Sequence, residues 1–214
     1  SFLTTNFTQC FAKISYLAIK SILDERGIDP MKRTIKQASH LKMKLEELNL
    51  KSDGCTIASL DIVNMYPSVK AKLIQKAIRY YVERVCTEEE MKVIEAALEM
   101  QQFSMKNTLL AFRDKYYEYG TVEDAMERAL TIGGYDSAFW ADLVAGYIME
   151  LAKTKGLLEL IQFFGMYRDN WNAVFKGECP ADELANWLAD FQAGVNEIVG
   201  GDDIQFTMDI WKPG

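Results

Sequence analysis

Two aspartates in apolar company carry the chemistry this chain could do. Asp61 lies at the end of the short apolar run "CTIASLDI", and Asp169 lies in "FFGMYRDNWNAVFKG", where the tetrad Arg168-Asp169-Asn170-Trp171 separates two runs rich in aromatic and branched residues. These patterns predict a strand ending at Asp61 and a hairpin with Asp169 in its turn. Asp and Asn are ordinary turn residues, so turn-making alone would also account for the tetrad. If the strand lies beside the hairpin, however, two carboxylates meet at one edge of a hydrophobic sheet, which is costly unless a cation neutralises them. Oxygen ligands select a hard ion, Mg²⁺ in the first instance with Mn²⁺ as a substitute. Paired carboxylates around such ions are the layout of two-metal phosphoryl transfer.

The elements that must position these residues can be read from periodicity and caps. "FAKISYLAIKSILDERG" and "MKRTIKQASHLKMKLEELNL" read as two basic amphipathic helices, the first stopped by Gly27 with Pro30 beyond it. After the Asp61 strand, "YPSVKAKLIQKAIRYYVERV" turns at Pro67 into a helix with Ser68 as a candidate cap. Thr87 followed by Glu90 is a capping-box pattern at the head of "TEEEMKVIEAALEMQQF". "FSMKNTLLAFRDKYYEYG" reads as a hairpin turning near Lys106-Asn107, "VEDAMERAL" as a short helix, and "DSAFWADLVAGYIMELAKT" as a long buried helix. The Asp169 hairpin comes next, then a helix over "PADELANWLADFQAGVNEIV", a Gly200-Gly201 turn and a last strand, "DIQFTMDIW". Irregular alternation with two hairpins favours the α+β class with an antiparallel sheet flanked by helices.

Composition bounds the reading. The 214 residues are 49% hydrophobic and 12% aromatic, enough for a sizeable core as one domain or two sublobes. No apolar run reaches the ~20 residues of a membrane span, and "SFLTTNFTQC" lacks the regions of a signal peptide. The expectation is an intracellular protein with no membrane partner. Cys10, Cys55, Cys86 and Cys179 have no paired spacing, and His40 is the only histidine, so scattered thiols are expected rather than a metal cage. The net charge of −7 is unevenly spread, with nine Lys and Arg against five Asp and Glu in residues 1–51 and five against thirteen in residues 131–214. A basic beginning suits a phosphate backbone and an acidic end suits cations, although chance scatter would give the same counts.

Taken in order, "SLDIVNMYPSV", "IGGYDSAF" and "MYRDNW" resemble the three central palm motifs of reverse transcriptases, most of all the non-retroviral, Penelope-like retroelements. "FSMKNTLLAFRDKYYEYG" is similar to the family's stretch before the second motif, "DIQFTMDIW" to the strand after the third, and "SFLTTNFTQCFAKISYLAIKSIL" to the finger segment before the palm. The resemblance implies a right-hand polymerase palm with part of the fingers, residues 1–54 being fingers and 55–214 palm. It implies a basic finger strand before Ser1 and a primer-gripping strand and thumb after Gly214. Its activity would be RNA-directed DNA polymerisation with Mg²⁺, on a primed RNA or DNA template with deoxynucleoside triphosphates as substrates.

Residue by residue, Asp61 matches the first-motif aspartate that binds both metals, and Asp169 the first aspartate of the Y-x-D-D turn. Ile62 would offer its backbone N–H or carbonyl to the triphosphate or metal, and Tyr66 matches the aromatic gate beneath the sugar. Gly133 matches the second-motif glycine beside nucleotide and template, and Ser137 the serine that opens the following helix. Asn170 stands where the family has a second aspartate, Ile132 where Gln is frequent and Ala138 where Pro is common, and "TVEDAMERALTI" is an extra piece before Gly133. A non-catalytic module that binds nucleic acid or protein is therefore the alternative reading.

Overall fold

Helices and strands follow one another without a repeating unit in the computed structural model, which describes residues 2–3, 6–32, 34–48, 54–113, 115–118, 125–132 and 134–211. A two-residue strand β1 (Phe2–Leu3) precedes helices α1 (Asn6–Glu25) and α2 (Ala38–Glu47) and strand β2 (Ile57–Ile62). Helices α3 (Met65–Ser68), α4 (Ala71–Val82) and α5 (Glu88–Lys106) follow, then a hairpin of β3 (Leu109–Phe112) and β4 (Lys115–Glu118). After a 3-10 turn at Ala125–Glu127 come α6 (Ser137–Thr154), β5 (Ile161–Tyr167), β6 (Asn170–Phe175), α7 (Ala181–Val199) and β7 (Phe206–Trp211). This is the α+β class, with a three-stranded sheet in the order β1-β3-β4 and a four-stranded antiparallel sheet in the order β5-β6-β2-β7. Contacts divide the chain into two units that interleave in sequence, Ser1–Pro30 with Tyr66–Val144, and Met31–Met65 with Ala145–Gly214.

The first unit is organised by α1 against α5. Buried Ile19, Ile22 and Leu23 on α1, and Ile94, Ala97 and Leu98 on α5, recur at the three- and four-residue spacing that lines one helix face. Phe11 meets Phe103 edge to face at 5.1 Å, and Ser104 Oγ donates to the Thr8 carbonyl at 3.1 Å. The start of α5 is the capping box expected from the sequence: Glu90 N–H donates to Thr87 Oγ1 at 3.3 Å and Thr87 N–H to Glu90 Oε2 at 2.7 Å. Arg26 donates to both Glu90 carboxylate oxygens, tying the end of α1 to this cap.

The second unit is the four-stranded sheet with α7 on its apolar face. Alternation along β2 buries Ala58, Leu60 and Ile62 and turns Ile57, Ser59 and Asp61 the other way. Trp171 of β6 is fully buried, meeting Phe164 at 5.6 Å and Phe206 at 4.9 Å, while Phe191 of α7 reaches Phe206 at 5.2 Å and Trp187 stacks on Phe191 at 5.1 Å. Gln192 fastens α7 to the entry of β7, accepting from Phe206 N–H at 2.9 Å and donating to the Ile204 carbonyl at 2.8 Å. Gly200 ends α7 in the left-handed conformation, with φ 82°.

Several boundaries differ from the sequence reading. "FSMK" belongs to α5 rather than to a hairpin, because the buried helical stripe continues through Gln101, Ser104 and Met105; the turn between β3 and β4 falls at Arg113, with φ 54°. Ser68 lies in the one-turn α3 and does not cap α4, whose N-cap position is Lys70 in extended backbone without a side-chain cap. The second basic helix starts only at Ala38, since the preceding segment runs extended beside β5, with Thr34 bridged to Met166 and Ile35 N–H donating to the Met166 carbonyl. Within 125–132, "VEDAMERAL" contributes only the 3-10 turn. Among the described residues no helix is long and apolar enough to cross a membrane.

Candidate active site

β2 lies between β6 and β7, and this central position brings the two aspartates of interest to one end of one sheet. Asp61 of β2 is the register partner of Asn170 of β6. Beyond Asp61, Ile62 N–H donates to the Asp169 carbonyl and Val63 N–H to the Gln205 carbonyl, both at 2.9 Å. The end of β2 is thus clamped between the β5–β6 turn and the start of β7. Ile62 N–H is thereby engaged by the Asp169 carbonyl.

The β5–β6 turn is tighter than the tetrad read from the sequence. Only Arg168 and Asp169 lie outside strands, Arg168 at φ 53°, because Asn170 and Trp171 already pair in β6. Two-residue hairpin loops demand such positive φ values. Trp171 holds the turn from below, its indole Nε1–H donating to the Arg168 carbonyl at 2.7 Å while its ring fills the core. Asp169 therefore sits on a loop fixed by one buried aromatic residue.

Strand register places two polar rows across the outer face of the sheet. The row at the turn end is Tyr167, Asn170, Asp61 and Thr207; the next is Gly165, Asn172, Ser59 and Asp209. Asn170 Oδ1 accepts from Ser59 Oγ at 3.2 Å and from Asn172 Nδ2 at 3.4 Å. Desolvation, then the charges of Asp169 and Asp209, push the Asp61 carboxyl above the usual aspartate range. Among the described residues no Lys or Arg forms an ion pair with Asp61, Asp169 or Asp209. Nor do any three His, Cys, Asp or Glu side chains among the described residues converge into a ready-made metal cage.

Ser59, Thr207 and Asp209 were not singled out in the sequence. The signal exists in the alternation of "FTMDIW", which puts Thr207 and Asp209 on one face, but it acquires meaning only once β7 is known to pair with β2.

The remaining expected residues lie in the other unit. Tyr66 is half-buried in α3, five residues along the chain from Asp61 and reached through a turn in which Asn64 takes φ 50°. Ser137 is buried at the first turn of α6, and Gly134 leaves the room its hydroxyl occupies, since a Cβ on Gly134 would come 2.3 Å from Ser137 Oγ. Asp136 accepts from the Trp140 indole, and burial raises its carboxyl above the usual range. Gly133 falls outside the described residues.

No protein-family model matches the sequence, and no curated protein matches it. Among solved structures, the chain is similar to telomerase from Candida albicans in complex with a TWJ fragment of telomeric RNA, with 10% identity and a TM-score of 0.60 over 95% of this chain and 35% of that one. The chain has a reverse-transcriptase-like polymerase fold. It spans about a third of the telomerase chain. Apo telomerase from Candida tropicalis, truncated from its C-terminal domain, aligns with 10% identity and a TM-score of 0.49 over 95% of this chain and 40% of that one. The BmCPV RNA-dependent RNA polymerase at its elongation state aligns with 10% identity and 0.45 over 96% and 18%.

Proposed function

We propose that this chain is the palm and part of the fingers of an RNA-directed DNA polymerase of the non-retroviral, Penelope-like type, adding deoxynucleotides to a primer 3′-hydroxyl. The observation that carries the reading is the strand pairing that sets Asp61 opposite Asn170 with the Asp169 turn bonded to Ile62. The donor set fits Mg²⁺ or Mn²⁺: carboxylate oxygens of Asp61 and Asp169, the Ile62 carbonyl and the Asn170 amide oxygen are all hard ligands. Desolvation, then the charges of Asp169 and Asp209, raises the Asp61 carboxyl, and a cation at this place would relieve the repulsion. Bound there, such ions would activate the primer hydroxyl and offset charge on the triphosphate.

The chain's own residues would do the rest by positioning. Asp61 and Asp169 fix where the ions sit, the first from a strand end clamped on both sides and the second from a turn anchored by Trp171. Tyr66 would lie under the sugar and exclude a 2′-hydroxyl. Gly133 and Ser137 would border the nucleotide and template. Asn170 supports a second reading, a non-catalytic module, because its amide gives an oxygen without a charge and that oxygen is held by Ser59.

Primer extension on an RNA template, with Mg²⁺ and with Mn²⁺, separates the two. Template-directed deoxynucleotide addition that falls by several orders of magnitude in Asp169→Asn is expected of the enzyme. Retained primer–template binding with no extension under either ion would favour the non-catalytic module.

A further inference from the structure

Asp209 is the acidic side chain on the outer sheet face for which the proposed reaction has no use. It belongs to β7, directly opposite Ser59 and one row from Asp61, on the neighbouring strand. Diagonal neighbours across adjacent strands stand roughly 7–8 Å apart, within reach of unscreened charge but too far for their side chains to be assumed to share one inner-sphere ion. Ser59, its opposite partner, donates to Asn170 Oδ1, so the three side chains form a line from β7 across β2 to the position where the resembled family carries its second carboxylate.

With Asn at position 170, the turn and β2 present two carboxylates, Asp61 and Asp169, together with the Arg168 cation. Asp209 is exposed, has no ion-pair partner among the described residues, and stands diagonally across the β2–β7 ladder from Asp61. We infer that Asp209 supplies from β7 the negative charge that Asn170 lacks in β6, strengthening the hold of Asp61 and Asp169 on a divalent cation without ligating it directly. The inference rests on the polymerase reading of the Asp61 site. Its role is that of a positioning charge: it makes the ion's place deeper in potential, and water or substrate oxygens can fill the space between.

Mn²⁺ binding to the 214-residue chain, measured by calorimetry and by the electron paramagnetic resonance of the free ion, tests this without requiring turnover. Asp209→Asn is expected to weaken binding by roughly tenfold at low ionic strength, and by less at high salt, as a through-space charge requires. Asp209→Glu should keep the affinity within about twofold, because the charge is retained at a similar place. In an Asn170→Asp background Asp209→Asn should cost clearly less than in wild type, because the nearer carboxylate already supplies the charge, a non-additivity that a merely structural role for Asp209 would not produce. Unchanged affinity in Asp209→Asn, in a protein whose binding is abolished by Asp61→Asn, overturns the inference and leaves the polymerase reading standing. Absence of Mn²⁺ binding in the wild-type chain, or binding indifferent to Asp61→Asn, overturns both.

Discussion

Asp61 and Asn170 face each other as register partners on β2 and β6. Ser59 and Asn172 both donate to Asn170 Oδ1, and these donors would serve a carboxylate equally well. Asn170→Asp is therefore expected to fold, to bind Mg²⁺ roughly ten- to a hundredfold more tightly and to extend primers faster, since a unit-charge pair at 4 Å is worth ~4 kcal/mol at an effective dielectric near 20 and desolvation takes back part of it. In metal-free buffer the same variant should melt at a lower temperature than wild type. Calorimetry, extension kinetics and thermal denaturation with and without chelator check the three outcomes.

Tyr66 tests the sugar-discrimination part of the proposal. Tyr66→Ala should raise ribonucleotide relative to deoxynucleotide incorporation by on the order of tenfold or more, by removing a clash, while Tyr66→Phe should leave the ratio near wild type. Competitive incorporation on one template reads the ratio directly. Equal ratios in wild type and Tyr66→Ala would assign the ring to packing.

Gly165 lies beneath Ile35, where an added Cβ would meet Ile35 Cγ1 at 2.8 Å and Phe163 Cζ at 3.0 Å. Gly165→Ala is expected to destabilise by about 1–3 kcal/mol through overpacking. Ile35→Ala, costly alone because Ile35 is buried, should be partly relieved by the new methyl, so the double variant should be more stable than the sum of the singles predicts. Strict additivity in urea denaturation would show that the segment beside β5 gives way instead.

Glu90 ties stability to acid. Its carboxylate accepts from Arg26 and from the Thr87 backbone and is lowered from an ordinary 4.5 to about 2, with the Arg26 hydrogen bonds the largest cause. A depressed acid contributes stability that is present above its unfolded value and is lost as pH falls through the folded value. Wild type should thus melt above Glu90→Gln at neutral pH, and the gap should close between about pH 4.5 and 2. A gap constant down to pH 2 would mean that the carboxylate charge is irrelevant to the cap.

What could be read from the sequence is what local patterns determine. The capping box at Thr87, the long buried α6 and the Gly200 stop of α7 follow from residues within a few positions of one another. Asp61 at its strand end and Asp169 in its turn were legible for the same reason. Missed features depend on partners distant in sequence: Asp209 and Ser59 matter because β7 lies against β2, and Thr34 and Ile35 run extended because β5 offers them an edge. The displaced β3–β4 turn is a contest between turn chemistry at Lys106-Asn107 and a helix stripe still burying Met105, which the stripe won.

β2 waits a long time for its neighbours. Ser59 and Asn170 are 111 residues apart in sequence, and β7 comes later still, so the central strand gains its first partner only after that long stretch has been made and its second later again. Until then the apolar face of Ala58, Leu60 and Ile62 is a nascent-chain hazard, and the strand pairing and α7 packing that bury it come slowly because their contacts are so non-local. A product truncated before the β5–β6 turn would leave β2 without either strand neighbour and Asp61 without Asp169 beside it.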